Sequence, residues 1–181
     1  KKAVSIPVIA SLNCVSPRWW TSYARQIVSA GADGLELNIS VMPSDPDRSS
    51  KEIEELHLKI FEGVKAKIEI PIAVKIGPYF TSMARMATEF GRRGASALVL
   101  FNRFYQIDID IDALQITKGY RFSFTDEISL PLRWIALLAG RTECDLAAST
   151  GVHDGAGAIK QLLAGASAVQ VCSVLYMKGI E

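Results

Sequence analysis

Leu146-Ala-Ala-Ser-Thr-Gly-Val-His153, followed one helix later by Ala164-Gly-Ala-Ser-Ala-Val-Gln-Val-Cys-Ser-Val174, decides the fold. It reads as a short apolar strand, a Gly-containing turn, a helix, a Gly-Ala joint and a second apolar strand opening straight into another short helix. Two successive parallel strands ending at Thr150-Gly151 and Cys172-Ser173 bring backbone N–H groups side by side at one edge. In a (β/α)8 barrel that edge, after strands seven and eight, is the usual phosphate site. The same layout also fits a βαβ unit with no ligand, so the stretch speaks first to architecture.

The Gly-Ala joint recurs and organises the chain. Ala30-Gly31-Ala32-Asp33-Gly34-Leu35, Arg93-Gly94-Ala95-Ser96-Ala97-Leu98 and Ala164-Gly165-Ala166-Ser167-Ala168-Val169 share one layout: a helix end, a Gly free to take positive φ, and a strand. Before the first joint, Ser16-Pro17 is an N-cap with Pro at the first helical position, and Trp20, Tyr23, Ala24, Ile27 and Val28 share a face. A second helix opens on the capping box Ser49-x-x-Glu52 and buries Ile53, Leu56, Ile60 and Val64. A third starts near Thr81 and runs through Met83, Met86, Ala87 and Phe90, a stripe read as core.

Short apolar segments at 8–12, 35–39, 72–76, 97–101, 145–149 and 168–172 alternate with these helices, which specifies six parallel strands in sequential order. The interval 102–144 carries Ile107-Asp-Ile-Asp-Ile-Asp112 and Tyr120-Arg-Phe-Ser-Phe124, too much for a plain loop, and predicts a small β excursion with a helix following Pro131. A doubly wound sheet is disfavoured because no G-x-G-x-x-G follows a strand. The expected fold is therefore a parallel (β/α)8 barrel represented by six units, a single domain over 1–181. A full barrel takes about 250 residues and eight strands. The shortfall implies two missing N-terminal units and unpaired edges at the first and last strands.

At 181 residues, 49% hydrophobic, with formal charge +1 and no run of like charge, the chain offers no electrostatic case for nucleic acid or an anionic membrane. Cys14, Cys144 and Cys172 are far apart, the pattern of reduced thiols in a cytoplasmic setting. No apolar run reaches 18 residues. A small-molecule ligand is the expected partner, and a homodimer is compatible with the open strand edges.

Chemistry concentrates at the strand ends. The second strand ends Leu35-Glu-Leu-Asn38-Ile-Ser40, the third reads Ile72-Ala-Val-Lys75-Ile-Gly-Pro-Tyr-Phe80, and the fourth ends Leu98-Val-Leu-Phe-Asn102-Arg103. A Lys in an apolar strand is costly unless its ammonium reaches an anion at the strand end. Asn38 and Asn102 offer donor and acceptor groups to the same mouth, suited to a ring with carbonyl and N–H edges. One such residue would be read as structural; three at successive strand ends, with a phosphate turn at the last two, specify a ligand site.

These motifs resemble the dihydroorotate dehydrogenase family of FMN-containing barrels, particularly its dihydroorotate dehydrogenase-like members, over essentially the whole chain. Asn38-Ile39-Ser40 is similar to the family's Asn-x-Ser. Lys75 with Gly77-Pro78-Tyr79-Phe80 matches its Val-Lys-x-x-Pro-Tyr-Phe. Asn102 matches its strand-six Asn, and Thr150-Gly151 and Cys172-Ser173 stand at its phosphate turns. The resemblance implies an FMN-dependent dehydrogenase acting on dihydroorotate or a related dihydropyrimidine, as in pyrimidine biosynthesis. It implies Lys75 beside the flavin's pyrimidine edge, Asn38 and Asn102 on substrate or flavin carbonyls, and Thr150, Gly151, Cys172 and Ser173 around the phosphate.

One position departs from the family. Its Cys or Ser base, followed by Pro-Asn, is replaced by Val41-Met42-Pro43, and valine cannot accept a proton. Arg103 also stands where a small hydroxyl residue is usual. Flavin binding is thus better supported than dihydroorotate chemistry. Ser40 is the candidate replacement base, with Ser44 on the same loop. Cys14 ends the first strand as an expected inert thiol, and His153 lies near the phosphate turn. His57 is expected on the surface, and Asp108, Asp110 and Asp112 are read as a solvated edge, with no metal. Two other readings stay open: a phosphate-binding lyase or isomerase without flavin, with Lys75 as a Schiff-base lysine, and a non-catalytic relative that has lost the base.

Overall fold

The computed structural model describes residues 3–14, 20–119 and 122–180. In chain order the strands are β1 (Ile9–Cys14), β2 (Gly34–Ile39), β3 (Ile72–Ile76), β4 (Ala97–Leu100), β5 (Ile107–Asp110), β6 (Gln115–Lys118), β7 (Asp145–Ser149) and β8 (Ala168–Gln170). The helices are α1 (Trp20–Ser29), α2 (Ser50–Lys65), α3 (Met83–Arg92), α4 (Ser129–Leu138), α5 (Gly155–Ala164) and α6 (Ser173–Lys178). Six strands pair in the order β1-β2-β3-β4-β7-β8, and every pairing is parallel. The sheet is an open portion of a (β/α) barrel, with β1 and β8 as its edge strands.

Register sorts the side chains. Asn13, Asn38, Lys75, Val99, Ala147 and Ala168 are successive partners across the sheet, so they form one layer on one face. The alternate residues Leu35, Leu37, Ile39, Val74, Ile76, Leu98 and Leu100 face the helices and are wholly buried. There they meet Ile60, Phe61, Met86, Phe90 and Ile135 in one core. The apolar face thus welds helices to sheet, and the face carrying Asn13, Asn38 and Lys75 is left for the barrel interior.

Local signals explain the element ends. In α2, Glu52 N–H donates to Ser49 Oγ (3.3 Å) and Ser49 N–H donates to Glu52 Oε2 (2.7 Å), completing the capping box. Gly31, Gly94 and Gly165 at the three joints take φ of 87°, 81° and 113°, as the repeated motif requires. The Ile-Asp run pairs as an antiparallel hairpin, β5 with β6. Its Asp110 carboxylate accepts from the N–H groups of Asp112 and Ala113, so this acid shapes the turn. Among the described residues no cluster of His, Cys, Asp or Glu is arranged to hold a metal. Among those residues, too, no helix is long and apolar enough to cross a membrane.

Several expectations need correction. The helix expected after Pro131 begins at Ser129, behind a 3-10 turn over Thr125–Ile128. Pro131 is therefore its third residue, tolerated because first-turn N–H groups have no intrahelical acceptor. The fourth and last strands stop at Leu100 and Gln170, short of the expected 101 and 172. Tyr23 leaves the apolar face of α1 and is 51% exposed. Ser16-Pro17 and the start of the Tyr120–Phe124 run lie outside the described residues.

The largest correction is His57, which is 3% exposed, not superficial. Its Nδ1 lies 2.8 Å from Ile53 O, and its ring meets Phe80 edge-on at 4.9 Å. Charged neighbours in sequence suggested solvent, but the turn carrying Phe80 covers this face of α2. Burial disfavours the imidazolium and holds the pKa below the ordinary 6.5, with the Ile53 carbonyl pulling weakly the other way. A depressed folded-state pKa contributes stability above the unfolded value that is lost as pH falls through it. The melting temperature should therefore drop on acidification below about pH 6.5. A His57→Leu variant should show a shallower drop in the same window, measured by circular dichroism.

Gln161 of α5 is wholly buried, and both its amide atoms lack a hydrogen-bond partner. A buried unsatisfied amide costs about 1–3 kcal/mol. Gln161→Met keeps the length without the polar atoms and should raise unfolding free energy by about that amount in urea titration.

Candidate functional site

Asn38, Lys75, Asn102, Thr150, Gly151, Cys172 and Ser173 line one cavity of about 940 Å³ at the C-terminal ends of β2, β3, β4, β7 and β8. Five strands deliver these side chains to a single mouth because parallel pairing aligns all their C-terminal ends. Ser40, the candidate base, is half-buried on the loop after β2 and does not line the cavity. Ser44 is exposed on the same loop, where its N–H donates to Met42 O (2.9 Å). Val41 turns to the protein side, packed against the core and lining a small void with His57 and Phe80. Cys14 ends β1.

Each polar group has a defined state. Asn102 is 9% exposed, and its Nδ2 donates to Ile39 O (3.1 Å) and Lys75 O (3.3 Å). The amide ties the ends of β2 and β3 together, and both its hydrogens are spent on carbonyls. Asn102 therefore has only Oδ1 to offer a ligand, which corrects the expectation that it donates to ligand carbonyls. Asn38 donates from Nδ2 to Asn13 Oδ1, and its own Oδ1 is buried without a partner. That orphaned acceptor fits a ligand that brings a donor.

Two cations border the cavity, where the sequence alone pointed to one. Lys75 Nζ donates to Gln170 Oε1 (2.8 Å). Arg103 is the second, and its Nε donates to Glu127 Oε1 at 2.8 Å. Glu127 thus occupies part of that guanidinium. The signal for Arg103 was its place directly after Asn102.

The far side of the cavity is made by the two turns. Thr150 and Gly151 have φ of 80° and 79°. Thr150 holds its unusual backbone while its Oγ1 donates to Phe101 O (3.2 Å). Gly151 is packed from behind: a Cβ there would lie 2.2 Å from Ile128 N. Ser123 is 7% exposed and comes from the segment before the 3-10 turn. Its N–H and Oγ both donate to Ser173 Oγ (3.0 Å each), and its Oγ is 3.0 Å from His153 Nε2. His153 thus reaches the turn region through Ser123. The sequence did not single out Ser123, Glu36 or Gln170. Their only signal is a polar residue alternating with apolar ones, as in Leu35-Glu-Leu and Val169-Gln-Val.

A cavity of this volume is in the range of small-molecule and cofactor sites. A lysine, an unpartnered amide oxygen and two backbone turns suit a planar heterocycle carrying a phosphate, so the residues present fit FMN.

A family model described as Dihydroorotate dehydrogenase matches residues 1–181. A putative dihydroorotate dehydrogenase A (fumarate) of Aeropyrum pernix is 30% identical, over 92% of this chain and 56% of the relative. A dihydroorotate dehydrogenase B (NAD(+)) catalytic subunit of Thermoplasma acidophilum is 27% identical, over 96% and 58%. An Eimeria tenella DHODH crystallised with ferulenol superposes with a TM-score of 0.58 at 19% identity, over 86% of this chain and 49% of that one. The chain thus spans somewhat more than half the length of these curated relatives.

Proposed function

Because the chain belongs to the dihydroorotate dehydrogenase family, we propose that the protein carrying it is an FMN-dependent oxidoreductase acting on dihydroorotate or a related dihydropyrimidine. The observation that supports this most is the convergence of Lys75, Asn38, Asn102 and the two turns on one cavity. Bound FMN would supply the acceptor for the hydride that leaves the substrate. Lys75 would hold a positive charge beside the ring as electrons arrive, so its help grows along the reaction. Asn102 Oδ1 and Asn38 Oδ1 would accept from N–H groups of ring or substrate and fix their orientation. The backbone at Thr150-Gly151 and Cys172-Ser173 would hold the phosphate.

Proton removal is the weak step. Val41 occupies the position of the family base and packs against the core. Ser40 is the remaining candidate on that loop, although it does not line the cavity with Lys75. Loss of a positioned base costs about 10²–10⁴-fold in rate. Dihydroorotate should therefore bleach the FMN-loaded full-length protein slowly under anaerobic stopped-flow conditions, and Val41→Cys should accelerate it. Rapid bleaching of the unmodified protein would assign the proton to another residue, Ser40 first. No bleaching in either form, with flavin bound, would exclude dihydroorotate as substrate.

A further inference from the structure

Behind the mouth, four side chains from four strands are joined in a single hydrogen-bonded line. Ser11 Oγ on β1 donates to Glu36 Oε1 on β2 (2.6 Å). Gln170 Nε2 on β8 donates to Glu36 Oε2 (2.5 Å), and Lys75 Nζ on β3 donates to Gln170 Oε1 (2.8 Å). Glu36 is 5% exposed, between the core residues Leu35 and Leu37. A carboxylate buried so deeply inside a strand needs its acceptors filled, and Ser11 and Gln170 fill one oxygen each.

The order of groups in this line is significant. The amide of Gln170 could sit either way round, but only one sense places N–H on the carboxylate and oxygen on the ammonium. The reverse would set two acceptors against each other at Glu36 and two donors against each other at Lys75. Glu36 therefore fixes the sense of the amide. The amide also keeps the ammonium off the carboxylate, so the cation is held in place without a direct ion pair to neutralise it.

We propose that Glu36 and Gln170 are positioning residues for Lys75, with Glu36 locking the amide of Gln170 and Gln170 tethering the ammonium at the mouth with its charge available to a ligand. The inference rests on the flavin reading above for its catalytic meaning, while the tether itself can be tested without flavin. Lys has a flexible four-carbon stem, and an untethered ammonium would sample other directions and more solvent.

The test uses the full-length protein with Gln170→Leu, Gln170→Glu, Glu36→Gln and the double variant Glu36→Gln/Gln170→Leu. One readout is acylation of Lys75 by an N-hydroxysuccinimide ester, followed by peptide mass spectrometry against the exposed Lys51 as internal standard. The other is the ratio of affinities for reduced and oxidised FMN. Gln170→Leu should raise relative acylation of Lys75 roughly 10-fold, the loss of one hydrogen bond from a charged donor. It should lower the reduced-to-oxidised affinity ratio by a similar factor, about 30 mV for a two-electron couple. Gln170→Glu should lower that ratio further at alkaline pH, where the new carboxylate and Glu36 no longer share a proton and the cation is paired directly. Glu36→Gln should act in the same direction as Gln170→Leu and add nothing in its background.

Unchanged acylation in folded Gln170→Leu would overturn the tether and leave the network as polar filling of the interior. Additive effects of the two substitutions would overturn the relay from Glu36. Should Glu36→Gln fail to fold, the two Gln170 variants still decide the tether. If the unmodified protein takes up no FMN, the cofactor reading fails, and the acylation result stands independently.

Discussion

Lys75→Ala in the FMN-loaded full-length protein is expected to slow flavin reduction about 10²–10³-fold, the usual effect of removing one group aimed at developing charge. Flavin absorbance after anaerobic mixing with substrate is the measurement, with FMN affinity taken separately by fluorescence titration. The expectation rests on the electrostatics of the mouth. Among the described residues lining the cavity, Arg103 is the other cation, and Glu127 already holds it at 2.8 Å. No second ammonium is poised to take over. A variant that keeps the reduction rate while losing only affinity would show that Lys75 binds both flavin states equally, a uniform effect without catalytic consequence.

Gly151→Ala should take away most of the stability of the folded state. Its Cβ would lie 2.2 Å from Ile128 N and 2.7 Å from Glu127 C, and both obstacles are backbone. Backbone that opens a helix cannot rotate aside as a side chain would, and φ of 79° adds strain to any Cβ. Clash and strain together should exceed about 4 kcal/mol, a large part of the 5–15 kcal/mol that holds a typical domain together. Loss of the cooperative transition in urea or thermal melts, or insoluble expression, is the expected readout. Whatever ligand stands in front of it, Gly151 must leave room for the 3-10 turn behind.

The fold was legible because its signals are local. Each Gly-Ala joint states where a helix ends and a strand starts, and short apolar runs give the strands without reference to the rest of the chain. Lys75, Asn38 and Asn102 stood out because polar residues at the ends of apolar strands carry a cost that a ligand can offset. What stayed hidden is non-local. Gln170 and Glu36 are 134 positions apart, and only the curvature of the sheet brings them together. The burial of His57 is hidden in the sequence because its cover comes from the turn carrying Phe80, on another unit. The sense of the Asn102 amide is hidden because the carbonyls that take its hydrogens, Ile39 and Lys75, belong to two neighbouring strands. The start of α4 is not legible because any place in a first turn tolerates proline, so Pro131 marks a neighbourhood and not a boundary.

The commitment of both Asn102 hydrogens to backbone has a further consequence, for selectivity. A free amide can rotate and greet either a carbonyl or an N–H, so it is indifferent to which edge of a heterocycle arrives. Asn102 cannot rotate without breaking the junction of β2 and β3. Toward the proposed ligand it would act as a one-way gate for hydrogen-bond polarity: an imide N–H is welcomed, an analogue with oxygen in place of that N–H meets lone pair against lone pair, and an N-methylated one brings a methyl group that cannot donate. Discrimination of this kind arises from the architecture of the strand junction, before any contact with the ligand is optimised.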